Sequence, residues 1–137
     1  MRKQSREVVF KLIFAQHFGQ YQNDDFENLL SVVLNDMALK ENDVDLDYVR
    51  NTFVDVTSNF DRLSKQAYSK VQKYANNRIY NADLVILVLA IYELEQKALD
   101  TKIVISEAVK LAKKYSTQNS IKFVNGVLSA IAKEMYE

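Results

Sequence analysis

Basic side chains near the N-terminus form the first group that could bind a ligand. They are Arg2, Lys3 and Arg6. Because residues three and four positions apart share one face of a helix, these side chains would form a single positive strip. Such a strip suits the phosphates of a nucleic acid, and three contacts to a single strand predict a log–log salt slope of about −2. The alternative is a frayed basic tail without a ligand.

A second group lies near the C-terminus, in the stretch QNSIKF at residues 118–123. Gln118 and Asn119 are polar residues at the start of a predicted helix, whose free N–H groups suit phosphate oxygens. Lys122 adds a positive charge, and the ring of Phe123 offers a stacking face worth about 1–3 kcal/mol per base. The alternative is that Phe123 belongs to the core and Lys122 is an ordinary surface residue.

Residues for catalysis or metal binding form no recognisable pattern. His17 is the only histidine and cysteine is absent, so neither a Ser-His-Asp triad nor a thiolate metal site is indicated. The acidic stretch DVDLD at 43–47 lacks the glycine and the closing glutamate of a calcium loop. No phosphate-binding or dinucleotide-binding glycine motif occurs. We therefore predict a protein without catalytic activity, metal or cofactor.

The elements that must position these groups are predicted to be α-helices. Proline is absent and glycine occurs only at Gly19 and Gly126, whereas sheets joined by tight turns normally need more of both. Apolar residues recur at helical spacing. The pattern predicts an all-α fold of seven helices, at about 5–18, 25–37, 46–59, 60–76, 81–97, 106–115 and 120–135. The fifth is apolar on nearly every side, so we expect it to be central.

The charges are unevenly distributed, although the formal net charge is zero. Residues 1–11 contain four basic residues and one acid, a net charge of +3. Residues 24–61 contain ten acids and two basic residues, a net charge of −8, and residues 97–137 contain seven lysines and four acids, again +3. This separation predicts either local fields that attract a ligand or a set of solvated helix faces. The acidic stretch 40–47 is the best predicted loop.

The hydropathy pattern argues against a membrane protein. The longest apolar run, LVILVLAIY at 84–92, has nine residues, whereas a membrane span needs about 20. The basic start of the chain is not followed by a signal-peptide cleavage pattern. With no cysteine to form disulfides, we predict a cytoplasmic protein.

Three segments resemble the NusB family of bacterial transcription antitermination factors. The segment VISEAVKLAKKYSTQNSIKFVNGVLSAIAK at 104–133 is similar to the family's C-terminal signature, roughly I-N-E-A-V-E-L-A-K, a polar turn, and K-F-V-N-G-V-L-D. The segment ADLVILVLAIYEL at 82–94 is similar to its D-R-A-I-L-R-L-A-x-Y-E-L. The segment RKQSREVVFKLIFAQ at 2–16 is similar to its basic first helix. The resemblance spans nearly the whole chain.

The resemblance implies a seven-helix NusB-like bundle in two helical subdomains, at about 1–59 and 60–137. It implies binding of boxA, a single-stranded element of nascent ribosomal RNA, together with the ribosomal protein NusE, in an antitermination complex on RNA polymerase. The NusE surface is expected in the C-terminal subdomain near Asp83. The family's RNA contacts correspond here to Arg2, Lys3, Arg6, Gln118, Asn119, Lys122 and Phe123, with Arg78 as a further match.

Some positions depart from the family pattern. The two arginines of the D-R-A-I-L-R segment are replaced by Leu84 and Val88. Fewer charges weaken phosphate contacts, so the alternative function is a protein-only helical adaptor with weak or lost RNA affinity. Gly126 lies inside the last predicted helix, where glycine costs about 1 kcal/mol relative to alanine. We expect the close approach of another helix to explain Gly126.

Overall fold

The computed structural model describes residues 1–19, 25–71 and 78–136, and within these ranges the chain is all-α, as predicted. It has no strand there and one short 3-10 turn at Glu41–Asp43. The α-helices of the described residues are α1 (Arg2–Phe18), α2 (Phe26–Asp36), α3 (Leu46–Ser58), α4 (Phe60–Ser69), α5 (Asn81–Gln96), α6 (Thr101–Tyr115) and α7 (Gln118–Tyr136).

Some helix ends differ from the prediction because polar residues determine them. The helix α6 begins at Thr101 rather than at 106, since the carboxylate of Asp100 accepts a hydrogen bond from the Lys102 N–H (3.0 Å) and caps the helix. The helix α1 begins at Arg2 rather than at 5, because a polar first turn carries no apolar period. Residues 72–76 of the fourth predicted helix lie outside the described ranges.

The chain divides into two compact units, Met1–Ser58 and Asn59–Glu137. In the first unit, α1 packs against both α2 and α3. Its core combines apolar side chains from all three helices, among them Val9, Leu12, Leu30, Val49 and Val56. Ion pairs between Lys11 and Asp36 and between Arg50 and Glu27 lie on the surface of this unit.

In the second unit, α5 packs against α4, α6 and α7. Its residues 83–91 are all buried, which confirms the prediction that this helix is central. Arg62 of α4 donates two hydrogen bonds, of 2.7 and 3.0 Å, to the carboxylate of Glu95 on α5. These bonds raise the pKa of the Arg62 guanidinium. None of the helices in the described ranges combines the length and apolar character needed to cross a membrane.

The close packing expected at Gly126 is not observed. Gly126 is exposed on α7, and a Cβ atom built on it would meet no described atom within 4 Å beyond its chain neighbours and the backbone of its own helical turns. The buried face of α7 is formed by other residues of the same turns, including Val124, Val127 and Leu128. The prediction is therefore wrong, because spacing in the sequence does not show which side of a helix another element covers.

Candidate nucleic-acid interface

Two of the predicted RNA-binding cations, Arg2 and Lys3, are exposed on the first turn of α1. The Arg2 guanidinium lies 3.7 Å from the centroid of the Tyr48 ring and 3.5 Å from the carboxylate of Asp45. An exposed ion pair of this kind contributes at most about 1 kcal/mol, so exchanging Asp45 for a phosphate costs little. Lys3 makes no ion pair within the described ranges, so it is available for a phosphate as it stands.

Asp45, the residue before α3, connects the start of α3 to α1. The N–H of Asp45 donates to the Ser5 hydroxyl oxygen (2.8 Å), and the carboxylate of Asp45 accepts from the Tyr48 N–H (3.1 Å). Asp45 thus caps α3 and orients Arg2 at the same time. No sequence pattern indicated this arrangement, because Ser5 and Asp45 are 40 residues apart.

The prediction that Arg6 belongs to the same exposed strip as Arg2 and Lys3 is wrong. It is only 5% exposed and belongs to a buried run that extends from Ser5 to Phe10. The helical projection placed Arg6 on the face of Arg2 correctly, but it did not show that this face becomes enclosed one turn further along. The exposed basic patch of the first unit therefore consists of Arg2 and Lys3.

An open depression in the first unit is acidic. It has a volume of about 470 Å³ and begins at Met1. Its charged side chains are the carboxylates of Glu41, Asp45 and Asp47, which repel phosphates. The basic patch is thus limited on this side by a surface of opposite charge. The residues that line the depression are Met1, Glu41, Asn42, Val44, Asp45, Leu46 and Asp47.

The second predicted group lies at the start of α7. Gln118, Asn119 and Lys122 are exposed, while Phe123 is partly buried. Lys122 makes no ion pair within the described part of the chain, so it can bind a phosphate without losing a carboxylate. Phe123 was predicted either to offer an exposed stacking face or to belong to the core. It does neither fully, because it is partly buried.

A cluster of one buried carboxylate and three hydroxyls fixes this start of α7. Asp83, in the first turn of α5, accepts hydrogen bonds from the Ser116 hydroxyl (2.5 Å) and from the Ser120 hydroxyl (2.8 Å). The Thr117 hydroxyl lies 2.9 Å from that of Ser120 and accepts from the Ser120 N–H (3.2 Å). We call these four residues the Asp83 cluster. It joins the turn between α6 and α7 to the beginning of α5.

The position of Asp83 corrects the sequence analysis, which expected this residue at the partner surface. Asp83 is 2% exposed, so its carboxylate is enclosed in the second unit rather than presented to a partner. Its charge lies near the N-terminus of α5, where the helix dipole favours an anion. The hydroxyl partners lie 33 and 37 residues later in the chain, so no local pattern pointed to them.

Arg78 is exposed just before α5 and makes no ion pair with the described residues. Leu84 and Val88 replace the family's two arginines in the D-R-A-I-L-R segment. Unlike Arg78, both side chains are buried within α5. In this chain neither position therefore contributes to the exposed surface.

Comparison with known proteins relates this arrangement to one family. The model of the NusB family matches residues 3–133. A curated relative from Clostridium botulinum (strain Kyoto / Type A2), described as transcription antitermination protein NusB, is 33% identical over 137 residues, with 93% of this chain and 96% of the relative covered. A relative of the same description from a Nitratiruptor species is 33% identical over 134 residues, with 98% and 93% covered.

Solved structures share the fold. NusB from T. maritima has a TM-score of 0.79 and 32% sequence identity, covering 98% of this chain and 92% of its own. A structure of the antitermination factors NusB and NusE in complex with double-stranded RNA matches with a TM-score of 0.78 at 24% identity, covering 97% and 96%. At that identity the second match supports the fold alone.

Proposed function

The chain belongs to the NusB family of transcription antitermination proteins, and from this premise we propose that it binds boxA RNA together with a NusE-type ribosomal protein. The observation that carries the proposal is the exposed group Gln118, Asn119 and Lys122, held at the start of α7 by the Asp83 cluster. A structural neighbour, NusB, has been crystallised with NusE and double-stranded RNA. The proposed complex acts on RNA polymerase in the cytoplasm, and its function requires no catalysis.

Each exposed residue has a role that follows from its chemistry. Arg2, Lys3 and Lys122 contact phosphates, and Arg78 adds a further positive charge. Gln118 and Asn119 carry amides that donate to and accept from the edges of bases. Phe123 offers part of its ring for stacking. Amides and rings of this kind read unpaired bases, which favours single-stranded RNA over a duplex.

The partner surface is proposed to lie on exposed residues of the second unit near Asp83, separate from the RNA contacts, rather than on Asp83 itself. The enclosed carboxylate of Asp83 is already bonded to two hydroxyls. The alternative function, a protein-only adaptor, was predicted because two of the family's arginines are replaced. Leu84 and Val88 are buried, whereas Lys3, Arg78 and Lys122 are exposed cations without an ion pair in the described residues, and these cations support RNA binding.

The test is a titration of boxA RNA and of a scrambled RNA, with and without the NusE-type partner, at two salt concentrations. We expect tighter binding of boxA. Lys122→Gln should weaken binding and reduce the magnitude of the log–log salt slope by about 0.7, the value for one phosphate of a single strand. Lys133→Gln is the matched control, since Lys133 is also exposed on α7 but lies about 16 Å further along the helix axis.

The outcomes separate the two functions. Equal affinity for boxA and scrambled RNA, with and without the partner, would exclude the proposal. If the partner still binds tightly in that case, the adaptor function replaces it. If wild type and Lys122→Gln have equal salt slopes, Lys122 does not contact a phosphate, whichever RNA sequence the protein prefers.

A further inference from the structure

Tyr80 is an exposed aromatic residue whose backbone is held by neighbouring contacts. It is 65% exposed and lies directly before α5. Its carbonyl oxygen accepts a hydrogen bond from the Leu84 N–H (2.9 Å), and the preceding residue, Ile79, is buried. The backbone on both sides of the ring is thus anchored. The side chain itself makes no hydrogen bond or ring contact with other described residues.

Other exposed tyrosines of the described ranges differ from Tyr80. The hydroxyl of Tyr136 donates to the Leu94 carbonyl (3.0 Å), and the ammonium of Lys97 lies 5.4 Å from the centroid of its ring. Tyr68 is only 36% exposed. Tyr80 therefore combines the largest exposed fraction among these rings with an uncovered face, and the exposed cation Arg78 lies two residues before it.

The Asp83 cluster relates this ring to the proposed RNA site. Tyr80 precedes Asp83 by one helical turn, about 5 Å along the axis of α5. Asp83 is bonded to Ser116 and Ser120, which flank Gln118 and Asn119. Tyr80 and Arg78 thus lie at the same end of the second unit as the start of α7. Positive charge on both segments, from Arg78 and Lys122, matches an RNA backbone that runs along this end.

We propose that Tyr80 is a base-stacking residue that extends the RNA site of the second unit by one unpaired nucleotide. The inference rests on the proposed function and deepens it. An aromatic face binds any base by stacking, and an adjacent arginine holds the phosphate of the same strand. Rigid mounting lowers the entropy lost on binding, because the backbone is already ordered.

The first measurement compares Tyr80→Ser with Tyr80→Phe in titrations of boxA RNA in the presence of the NusE-type partner. Tyr80→Ser should bind about 5- to 150-fold more weakly, since stacking is lost. Tyr80→Phe should bind like wild type, because the ring remains. Neither change should alter the salt slope, since tyrosine is uncharged, whereas Arg78→Gln should reduce its magnitude by about 0.7.

A second measurement detects the stacked base directly. The chain contains no tryptophan, so Tyr80→Trp introduces a single indole whose fluorescence is quenched when a base stacks on it. Ile103→Trp is the matched control, because Ile103 is 49% exposed and lies about 20 Å along α6 from Ser116. We expect boxA RNA to quench the indole at position 80 and leave the one at 103 unchanged.

The outcomes distinguish this inference from the function on which it rests. If wild type binds boxA RNA while Tyr80→Ser is equally tight, the stacking role is excluded and the proposed function stands. If the indole at 80 responds to the ribosomal partner alone and not to RNA, Tyr80 is a protein contact and the inference is overturned. If wild type binds no boxA RNA, with or without the partner, both fail together.

Discussion

The enclosed carboxylate of Asp83 accepts hydrogen bonds from Ser116 and Ser120 at 2.5 and 2.8 Å. A buried carboxylate is costly unless its lone pairs are satisfied, and these hydroxyls satisfy them. In return, the carboxylate holds the turn that presents Gln118 and Asn119. Asp83 is therefore a positioning residue for the proposed RNA site, one that need not touch RNA itself.

Substitution of Asp83 tests this positioning role. Asp83→Ala removes the acceptor of the buried Ser120 hydroxyl and of the partly buried Ser116 hydroxyl, so we expect a loss of about 1–3 kcal/mol of stability. RNA affinity should fall while the salt slope stays unchanged, because Asp83 contacts no phosphate. Asp83→Asn should retain most of both, since its amide oxygen accepts from one serine and its NH₂ group donates to the other. Thermal unfolding and RNA titrations at two salt concentrations measure these effects.

A control separates positioning from general destabilisation. Asp100→Ala removes the cap of α6 and should cost about 1 kcal/mol, yet it should leave RNA affinity unchanged. Hydrogen exchange at the amides of residues 117–123 should accelerate in Asp83→Ala and not in Asp100→Ala. If Asp83→Asn binds RNA normally but no longer binds the NusE-type partner, Asp83 belongs to the partner surface instead.

At the scale of single elements, α7 shows how one helix serves two purposes. Its apolar residues Val124, Val127, Leu128 and Ile131 are buried and attach it to the unit. The other face is exposed and carries Gly126. Glycine lowers helix stability because its backbone loses more conformational freedom on folding than that of any other residue. No contact within the described residues compensates for that loss.

Gly126→Ala is therefore expected to stabilise the protein by about 1 kcal/mol. Beyond its chain neighbours and the backbone of its own helical turns, the new methyl group meets no described atom within 4 Å, so no clash opposes the gain in helix propensity. For a chain of this length the unfolding midpoint should rise by about 4 °C. Calorimetry or circular dichroism would measure it.

The other glycine, Gly19, provides a control in which the unfolding midpoint is expected to fall. In Gly19→Ala the new Cβ would lie 2.7 Å from the backbone carbonyl oxygen of Ala15, so the end of α1 must shift and the midpoint should fall. A lower midpoint for Gly126→Ala would contradict the open surroundings of α7.

At the scale of the whole molecule, the formal net charge of zero conceals separate regions of opposite sign. Attraction of RNA by the total charge is therefore negligible, and the exposed cations of each unit must act locally. Arg2 and Lys3 belong to the first unit and Lys122 to the second. Each phosphate neutralised by one of them releases counterions from the RNA, so the salt slope counts such contacts.

The combined variant Arg2→Gln, Lys3→Gln, Lys122→Gln should reduce the magnitude of the salt slope by about 2, three times the value for a single contact. Helical content should stay unchanged, because all three side chains are exposed. A second variant, with Lys65, Lys102 and Lys133 changed to glutamine, lowers the net charge equally. These lysines are exposed and make no ion pair within the described ranges. Equal reductions in the two variants would show that total charge, not these sites, determines binding.

The sequence by itself determined the all-α class, the order of the helices and the central place of α5, because apolar spacing and the lack of proline are local properties of the chain. The motifs at 104–133 and 82–94 were sufficient to identify the family for the same reason. Helix ends were less predictable, since a single cap such as Asp100 decides them.

Only the tertiary structure decided which polar residues are exposed. Arg6 and Arg2 share a helical face, but Arg6 is buried and Arg2 is not. Asp83 has its partners 33 and 37 residues away, and the surroundings of Gly126 and Tyr80 depend on which helix faces meet. Burial results from contacts between segments distant in sequence, so spacing along the chain can identify a face without showing what covers it.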